Sequence, residues 1–499
     1  MPVLTLVVAW LMSVPVMAQT AAGGSLLPPK REFRGAWIQC VNGQWIGMSR
    51  DDMQRTLAFQ LDELQRDGAN AVIFQVRAEC DALYNSDIEP WSRYLTGRQG
   101  TAPQPLWDPL EWMISECHKR GMELHAWINP YRARTKGTSA LAASHIAIRH
   151  PERVFAYDGL LILNPAIAEN REYICRVAAD IVRRYDIDGF HIDDYFYPYP
   201  ANGQPIPDDR EFSASRSGIT DRGDWRRDNV NTFIEQLADT IHNIKPWVKF
   251  GVSPFGIYRN ASSWEYGSDT SGLQNYDNLY ADVLLWIDKG WIDYCVPQLY
   301  WEIGNRSADY ATLIRWWNAY AGGGRPLFIG EDVERTAHAA DLNDSRSNQM
   351  PAKYRLHRQM DNVCGTVLWY AKAVVDNPGN YGTMLRNVYW KTPALQPLMP
   401  FIDGKAPKKV KDLKVVDYGS GPMLMWTAPK GKGWKDKAER YVVYKFGKGE
   451  DIDLDDASRI VAITTDTYYA IEAPKDKSVY AVTALDRMSN ESKEKKVKY

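Results

Sequence analysis

The 499-residue chain carries 60 Lys and Arg against 62 Asp and Glu, a formal net charge of −2, and 45% of its residues are hydrophobic. That length exceeds one ordinary domain, and the balanced charge gives no support for a nucleic-acid partner, which asks for a basic excess. The 19 Trp and 28 Tyr provide rings that can stack on sugars or dock peptides as well as pack a core.

The opening MPVLTLVVAWLMSVPVMAQT has an apolar stretch from Val3 to Met12 followed by Val16-Met17-Ala18. This predicts a signal peptide over residues 1–18, too short to span a membrane, and a linker over 19–30. The expected location is therefore exported, periplasmic or extracellular. The six cysteines (40, 80, 117, 175, 295 and 364) are scattered, several within apolar runs, and read as small core residues.

From residue 32 short apolar runs end in polar residues and are followed by helical periodicity. The runs are 32–39, 71–77, 123–130, 189–195, 249–254, 295–301, 327–332 and 365–371. Eight strand–helix units predict an α/β fold, a (β/α)8 TIM barrel over 31–395. A doubly wound dinucleotide fold would want a GxGxxG turn after its first strand, whereas the glycines at 322–324 precede the seventh. Long insertions follow strands three and four, at 131–170 and 201–228, where a barrel builds its cleft.

After about residue 400 the composition changes. A basic junction over 396–408 leads into short alternating runs such as ERYVVYKF and VYAVTALDRMSNES, which predict a small all-β immunoglobulin-like sandwich over 409–499. TDTYYAI and KSVYAVTALDRMSNES resemble the closing strands of a fibronectin type III domain. The Lys-rich junction suggests association with an anionic envelope polymer.

On strand four, side-chain alternation sets Phe190 and Ile192 on one face and His191 and Asp193 on the other. The apolar pair would pack on the helices, leaving His191 and Asp193 inside the barrel near its C-terminal mouth, with Asp194 at the rim. Other strand ends add Arg77, Glu79, Asn129, Tyr131, Gln298, Tyr300, Trp301, Glu302, Glu331 and Asp332, with Trp369 on strand eight. Carboxylates from different strands beside aromatics suit glycosidic-bond hydrolysis, in which one acid protonates the leaving oxygen and a second carboxylate attacks carbon or activates water. Asp193 with Glu331 is the expected catalytic pair and Asp194 the alternative. Tyr195, Phe196, Tyr197 and Tyr199 would line sugar subsites. No GxSxG elbow supports serine hydrolysis, and no Cys/His spacing resembles a zinc site, so no metal or cofactor is expected. A non-catalytic glycan-binding protein is the rival reading. The expected partner is a polysaccharide or oligosaccharide, and the expected state a monomer.

The segments REFRGAWIQ, NAVIFQVR, GMELHAWINPYR, YDGLLILNP, YDIDGFHIDDYFYP, WRRDNVNTFI and VPQLYW together resemble the bacterial glycosyl-hydrolase-like 10 family. The resemblance covers residues 30–390 and implies cleavage of peptidoglycan glycan strands, especially those stripped of stem peptides. DGFHIDDYF also resembles the GFRxD strand of the alpha-amylase superfamily, which implies a nucleophile's place for Asp193 and puts His191 where that superfamily has Arg. The family further implies substrate contacts for Arg226, Arg227 and Asn229, where the arginines would clamp a substituent such as a lactyl carboxylate. An Arg pair neutralising Asp224 and Asp228 is the alternative.

Overall fold

A computed structural model describes residues 28–499 apart from 138, 202, 323, 341–347, 420 and 473–476. The expected signal peptide and most of the first linker lie outside the described residues. Among the described residues no helix is long and apolar enough to cross a membrane.

Eight parallel strands close into a barrel: β1 (Phe33–Ile38), β2 (Ala71–Arg77), β3 (Glu123–Ile128), β4 (Gly189–Ile192), β5 (Lys249–Val252), β6 (Tyr294–Cys295), β7 (Leu327–Asp332) and β8 (Val363–Trp369). Each pairs with its neighbours in sequence, and β8 closes on β1 with Phe33 opposite Gly365. All eight expected runs contribute a strand. The sixth is shorter than expected because Pro297 lacks an N–H to continue the ladder. Its path is kept by single bonds, Val296 N–H to Val252 O at 2.8 Å and Leu299 N–H to Gly330 O at 2.9 Å.

Alternation sorts each strand into two cores. Val72, Phe74, Leu124, Ala126, Phe190, Ile192, Phe250 and Val252 join the shell between barrel and helices. Phe33, Trp37, Ala71, Ile73, Trp127, Tyr294, Phe328 and Val367 fill the interior. The interior also takes two large polar rings, for which two strands give way. A Cβ on Gly189 would stand 2.3 Å from the His125 ring, and one on Gly251 would stand 1.9 Å from the Tyr294 ring. Any side chain at either position would displace those rings.

The insertion after β3 folds into a three-stranded antiparallel sheet of Arg132–Arg134, Val154–Tyr157 and Leu160–Leu163. The insertion after β4 holds a short helix, Asp209–Ala214, and leads into the helix Arg222–Ile244, whose first turn is capped by Asp221 accepting from the Asp224 N–H at 2.8 Å. None of the six cysteines is bonded to another, and five are buried.

Beyond the barrel, a three-stranded and a four-stranded antiparallel sheet share one apolar core that includes Leu413, Trp426, Tyr441, Val443 and Val482. These sheets sit on the N-terminal end of the barrel. Arg487 pairs with Asp186 at 2.6 Å and Asp188 at 3.5 Å, just ahead of β4, and Trp434 meets Trp247 at 5.5 Å, just ahead of β5. Lys30, ahead of β1, pairs with Glu491 at 2.6 Å. Met488 and Met399 complete the interior cluster from below. The C-terminal sheets are thus fastened to the barrel floor, and none of these contacts lies at its mouth.

Candidate active site

Strand β4 delivers the acid pair as alternation requires. His191 and Asp193 point inward while Phe190 and Ile192 pack outward. Asp194 also faces the mouth, so the strand end presents two adjacent carboxyls, 3% and 2% exposed. Asp193 Oδ2 accepts from Trp127 Nε1 at 3.2 Å and from Asn129 Nδ2. Its Oδ1 is buried with no hydrogen-bond partner. Asp194 accepts from the hydroxyl of Tyr199 and from Gln298, whose Nε2 also donates to Ser253 O at 2.9 Å.

Burial pushes the Asp193 carboxyl up to about 7, and the adjacent Asp194 charge pushes it further the same way. Asp194 is raised too, chiefly by burial, but the Tyr199 and Gln298 hydrogen bonds favour its charged form. Of the two, Asp193 is therefore the carboxyl that keeps a proton as the pH approaches neutrality. With Oδ2 occupied by two donors, the proton's place is Oδ1, the atom without a partner.

Aromatic walls surround the pair. Trp369 contacts Trp37 at 6.1 Å, Trp127 at 6.3 Å and Tyr300 at 6.1 Å, the last stacked. On the other side Tyr195 and Tyr199 meet at 5.6 Å, Tyr199 and Phe255 at 6.1 Å, and Phe255 and Trp301 at 5.4 Å. The Tyr300 phenol is held above its ordinary range, first by desolvation and then by the charges of Asp194 and Asp332. Arg132 donates to Asn129 Oδ1 at 2.5 Å and lies 4.7 Å from the Tyr195 ring. Gln75 Nε2 donates to the same Asn129 oxygen at 2.6 Å, so the Asn129 amide is pinned with its donor side toward Asp193.

His191 lies one layer down. Its Nδ1 is 3.0 Å from the Tyr294 hydroxyl and its Nε2 2.9 Å from Ser253 Oγ, while burial keeps it well below its ordinary pKa and neutral. Both ring nitrogens are engaged, so His191 supports the floor of the site and has no nitrogen left for a ligand.

Several expected residues are elsewhere. Glu331 shares a face with Leu327 and Ile329, which belong to the outer shell, and its side chain is fully buried among Tyr310 and Tyr381, each donating at 3.2 Å, and Lys353 at 3.8 Å. It lies in the helical layer and is no partner for Asp193. The inward carboxylate of β7 is Asp332, partly exposed, which also caps the helix Val333–His338 through Arg335 N–H at 2.8 Å. Arg77 is turned away by an irregularity in the β2–β3 register between Gln75 and Arg77, and it forms a buried pair with Glu89 at 2.7 Å. Glu79 is bound by Arg93 at 2.7 Å and by Thr135. Tyr131 packs on Phe233 at 5.1 Å, and Tyr197 on Tyr280 at 5.2 Å, both in the helical layer. Arg226 pairs with Asp208 at 2.7 Å, Arg227 with Asp224 at 2.6 Å, and Asn229 donates to Trp225 O at 2.9 Å. Arg226 ties the helix back to the fourth loop, while the Arg227 and Asn229 contacts lie within the helix itself. Glu302 accepts from Asn305 at 2.9 Å at the rim. Of the expected set, the structure brings together Asp193, Asp194, Asn129, Tyr195, Gln298, Tyr300, Trp301, Asp332 and Trp369, above His191.

Of the four aromatics expected to line sugar subsites, Tyr199 stands at the mouth beside Tyr195, while Phe196 packs on Trp286 at 5.3 Å in the helical layer. Trp37, Trp127 and Arg132 carried no assigned role. Trp127 was legible as the inward residue two before Asn129, and Trp37 as the residue four after inward Phe33.

The sequence profile of the family described as Glycosyl hydrolase-like 10 matches residues 32–339. The chain belongs to that family. It is an enzyme of the glycosyl-hydrolase class. Among family relatives, glycosyl hydrolase YngK of Bacillus subtilis (strain 168) is 39% identical over 500 residues, covering 98% of this chain and 96% of that one. Glycosyl hydrolase DigH of Escherichia coli (strain K12) is 37% identical over 306 residues, 57% of this chain and 69% of that one. Among solved structures, the catalytic domain of a beta-amylase from Paenibacillus polymyxa is similar with a TM-score of 0.48 and 12% identity, covering 73% of this chain and 99% of that one.

Proposed function

We propose that the enzyme hydrolyses glycosidic bonds in the glycan strands of a bacterial cell wall, with peptide-free peptidoglycan as its substrate. The observation that carries the chemistry is the buried Asp193–Asp194 pair beneath aromatic walls. Asp193, whose raised pKa of about 7 lets it hold a proton up to neutral pH, donates that proton to the glycosidic oxygen as general acid. Asp194, held charged by Tyr199 and Gln298, supports the positive charge that develops at the anomeric carbon and takes the proton of the water that adds there as the leaving oxygen departs with the Asp193 proton. Asn129 and Trp127 fix the acid, and Tyr300, Trp301, Trp369 and Tyr195 receive sugar faces. Asp332 contacts the sugar from across the mouth.

The enzyme is exported, in keeping with the leader-like opening of the chain. Residues 409–499 form a fibronectin type III-like accessory domain whose exposed lysines favour contact with an anionic envelope polymer.

Purified protein is incubated with peptide-free peptidoglycan, intact peptidoglycan and unrelated polysaccharides, and products are read by mass spectrometry. New reducing ends on the peptide-free strands are expected. Cleavage of an unrelated glycan alone would overturn the substrate, and cleavage of none would overturn the hydrolytic reading.

A further inference from the structure

One βα loop, residues 253–282, carries Phe255 at the mouth and folds its tip over the flank of the barrel. There Trp264 meets Tyr266 at 5.4 Å and Tyr320 at 6.3 Å, and Tyr320 stacks on Trp316 at 4.9 Å, one turn back on the helix Tyr310–Tyr320. The Trp316 indole donates to Tyr266 O at 2.7 Å, tying loop to helix. Behind Trp264, Arg259 stands 6.0 Å from its ring and is itself fixed by a two-pronged bond to Asp277 at 2.9 and 3.0 Å. The rings are therefore held rigid from below.

Packing accounts for Trp316, which is buried, but not for the outer pair. Tyr266 and Tyr320 remain 52% and 42% exposed. They are the only large hydrophobic side chains counted as exposed on these two segments, and Ser262, Ser263 and Glu265 beside them are exposed polar residues. Protein interfaces share such rings but are depleted in Ser and Glu, the residues that edge these. Open rings edged by hydroxyls and a carboxylate instead match sugars, whose C–H faces stack while their hydroxyls find polar partners.

We propose that Trp264, Tyr266 and Tyr320 form a second glycan-binding platform, outside the catalytic mouth, that holds a distant part of the same polymeric substrate. This rests on the glycan-cleaving reading, and continuity supports it, since the loop that supplies Phe255 to the mouth also supplies two of the three rings. The site takes an extended stretch of polysaccharide, and short oligosaccharides that fill only the mouth do not reach it.

The test uses the full chain carrying Tyr266→Ala and Tyr320→Ala together, both surface changes, with Tyr266→Phe and Tyr320→Phe as the conservative control. Retention on insoluble peptide-free peptidoglycan and turnover of a short soluble oligosaccharide from the same polymer are measured separately. The double alanine variant is expected to be retained about tenfold more weakly, the effect of one or two lost stacking contacts, with short-substrate turnover unchanged and the phenylalanine control near wild type. Unchanged retention would overturn the platform, and so would an equal loss on the short substrate. Sedimentation showing wild-type self-association that the alanine variant lacks would also overturn it, by making a second copy the occupant. Retention is scored without turnover, so a polymer bound but not cleaved would count against the hydrolytic reading and leave the platform standing.

Discussion

Asn129 reaches Asp193 with its amide nitrogen because its amide oxygen is already taken by Gln75 at 2.6 Å and Arg132 at 2.5 Å. The orientation of one amide thus fixes which oxygen of the acid is occupied and which is free to give up a proton. Replacing Asn129 with alanine removes that donor and strands the buried Gln75 amide and the partly buried Arg132. Turnover should fall roughly 10- to 100-fold with little change in KM, because the loss is to acid placement and not to ground-state binding. Steady-state kinetics on a soluble glycan separates the two.

Asp193→Asn should abolish proton donation and lower kcat about 10²- to 10⁴-fold. It should also change stability in a pH-dependent way. The Asp193 carboxyl sits above its ordinary value of 3.8, at about 7, so the native state holds this proton more tightly than the unfolded chain. Its contribution to stability is present at low pH and is lost as the pH rises through that window. The asparagine variant lacks the loss, so its Tm should gain on wild type between pH 5 and pH 8. A constant Tm difference across that range would contradict the assignment.

The pH–rate profile should fall on its alkaline side near pH 7, where Asp193 gives up the proton it must donate. Its acid side reports Asp194, whose charged form Tyr199 stabilises. Tyr199→Phe removes that bond, raises the Asp194 pKa and should move the acid limb upward while leaving the alkaline limb in place.

Glu331→Gln should damage the fold rather than the chemistry. It leaves Lys353, itself fully buried and held below its ordinary pKa by desolvation, facing a neutral partner. A cost of about 3–5 kcal/mol is expected from breaking such a pair. Chemical denaturation should detect it, while the folded fraction keeps its kcat.

The eight strands were legible because period-two runs bounded by helical segments survive without knowledge of the fold. On β4 the facing was legible too, since polar His191 contrasts with apolar Phe190 and Ile192. On β7 it was not. Leu327, Phe328 and Ile329 are all apolar, as in a parallel strand buried on both faces, so nothing in the run says whether Glu331 or Asp332 points inward. Arg77 was misplaced for another reason: the register shift beyond Gln75 reverses the alternation, and no residue there announces it. Arg226 needed the fold of the fourth loop itself, which brings Asp208 back onto it, whereas Arg227 makes the helix-start pair with Asp224 that the sequence offered as the alternative.

Arg487 and Met488 fasten the C-terminal sheets beneath the barrel, giving the enzyme a front and a back. A wall polymer gripped from behind would leave the opening facing the other way. On the proposed reading, a polymer held by those sheets would be out of reach of the mouth, and the strand being cut would come from elsewhere. Such an enzyme can stay moored while its neighbourhood is trimmed.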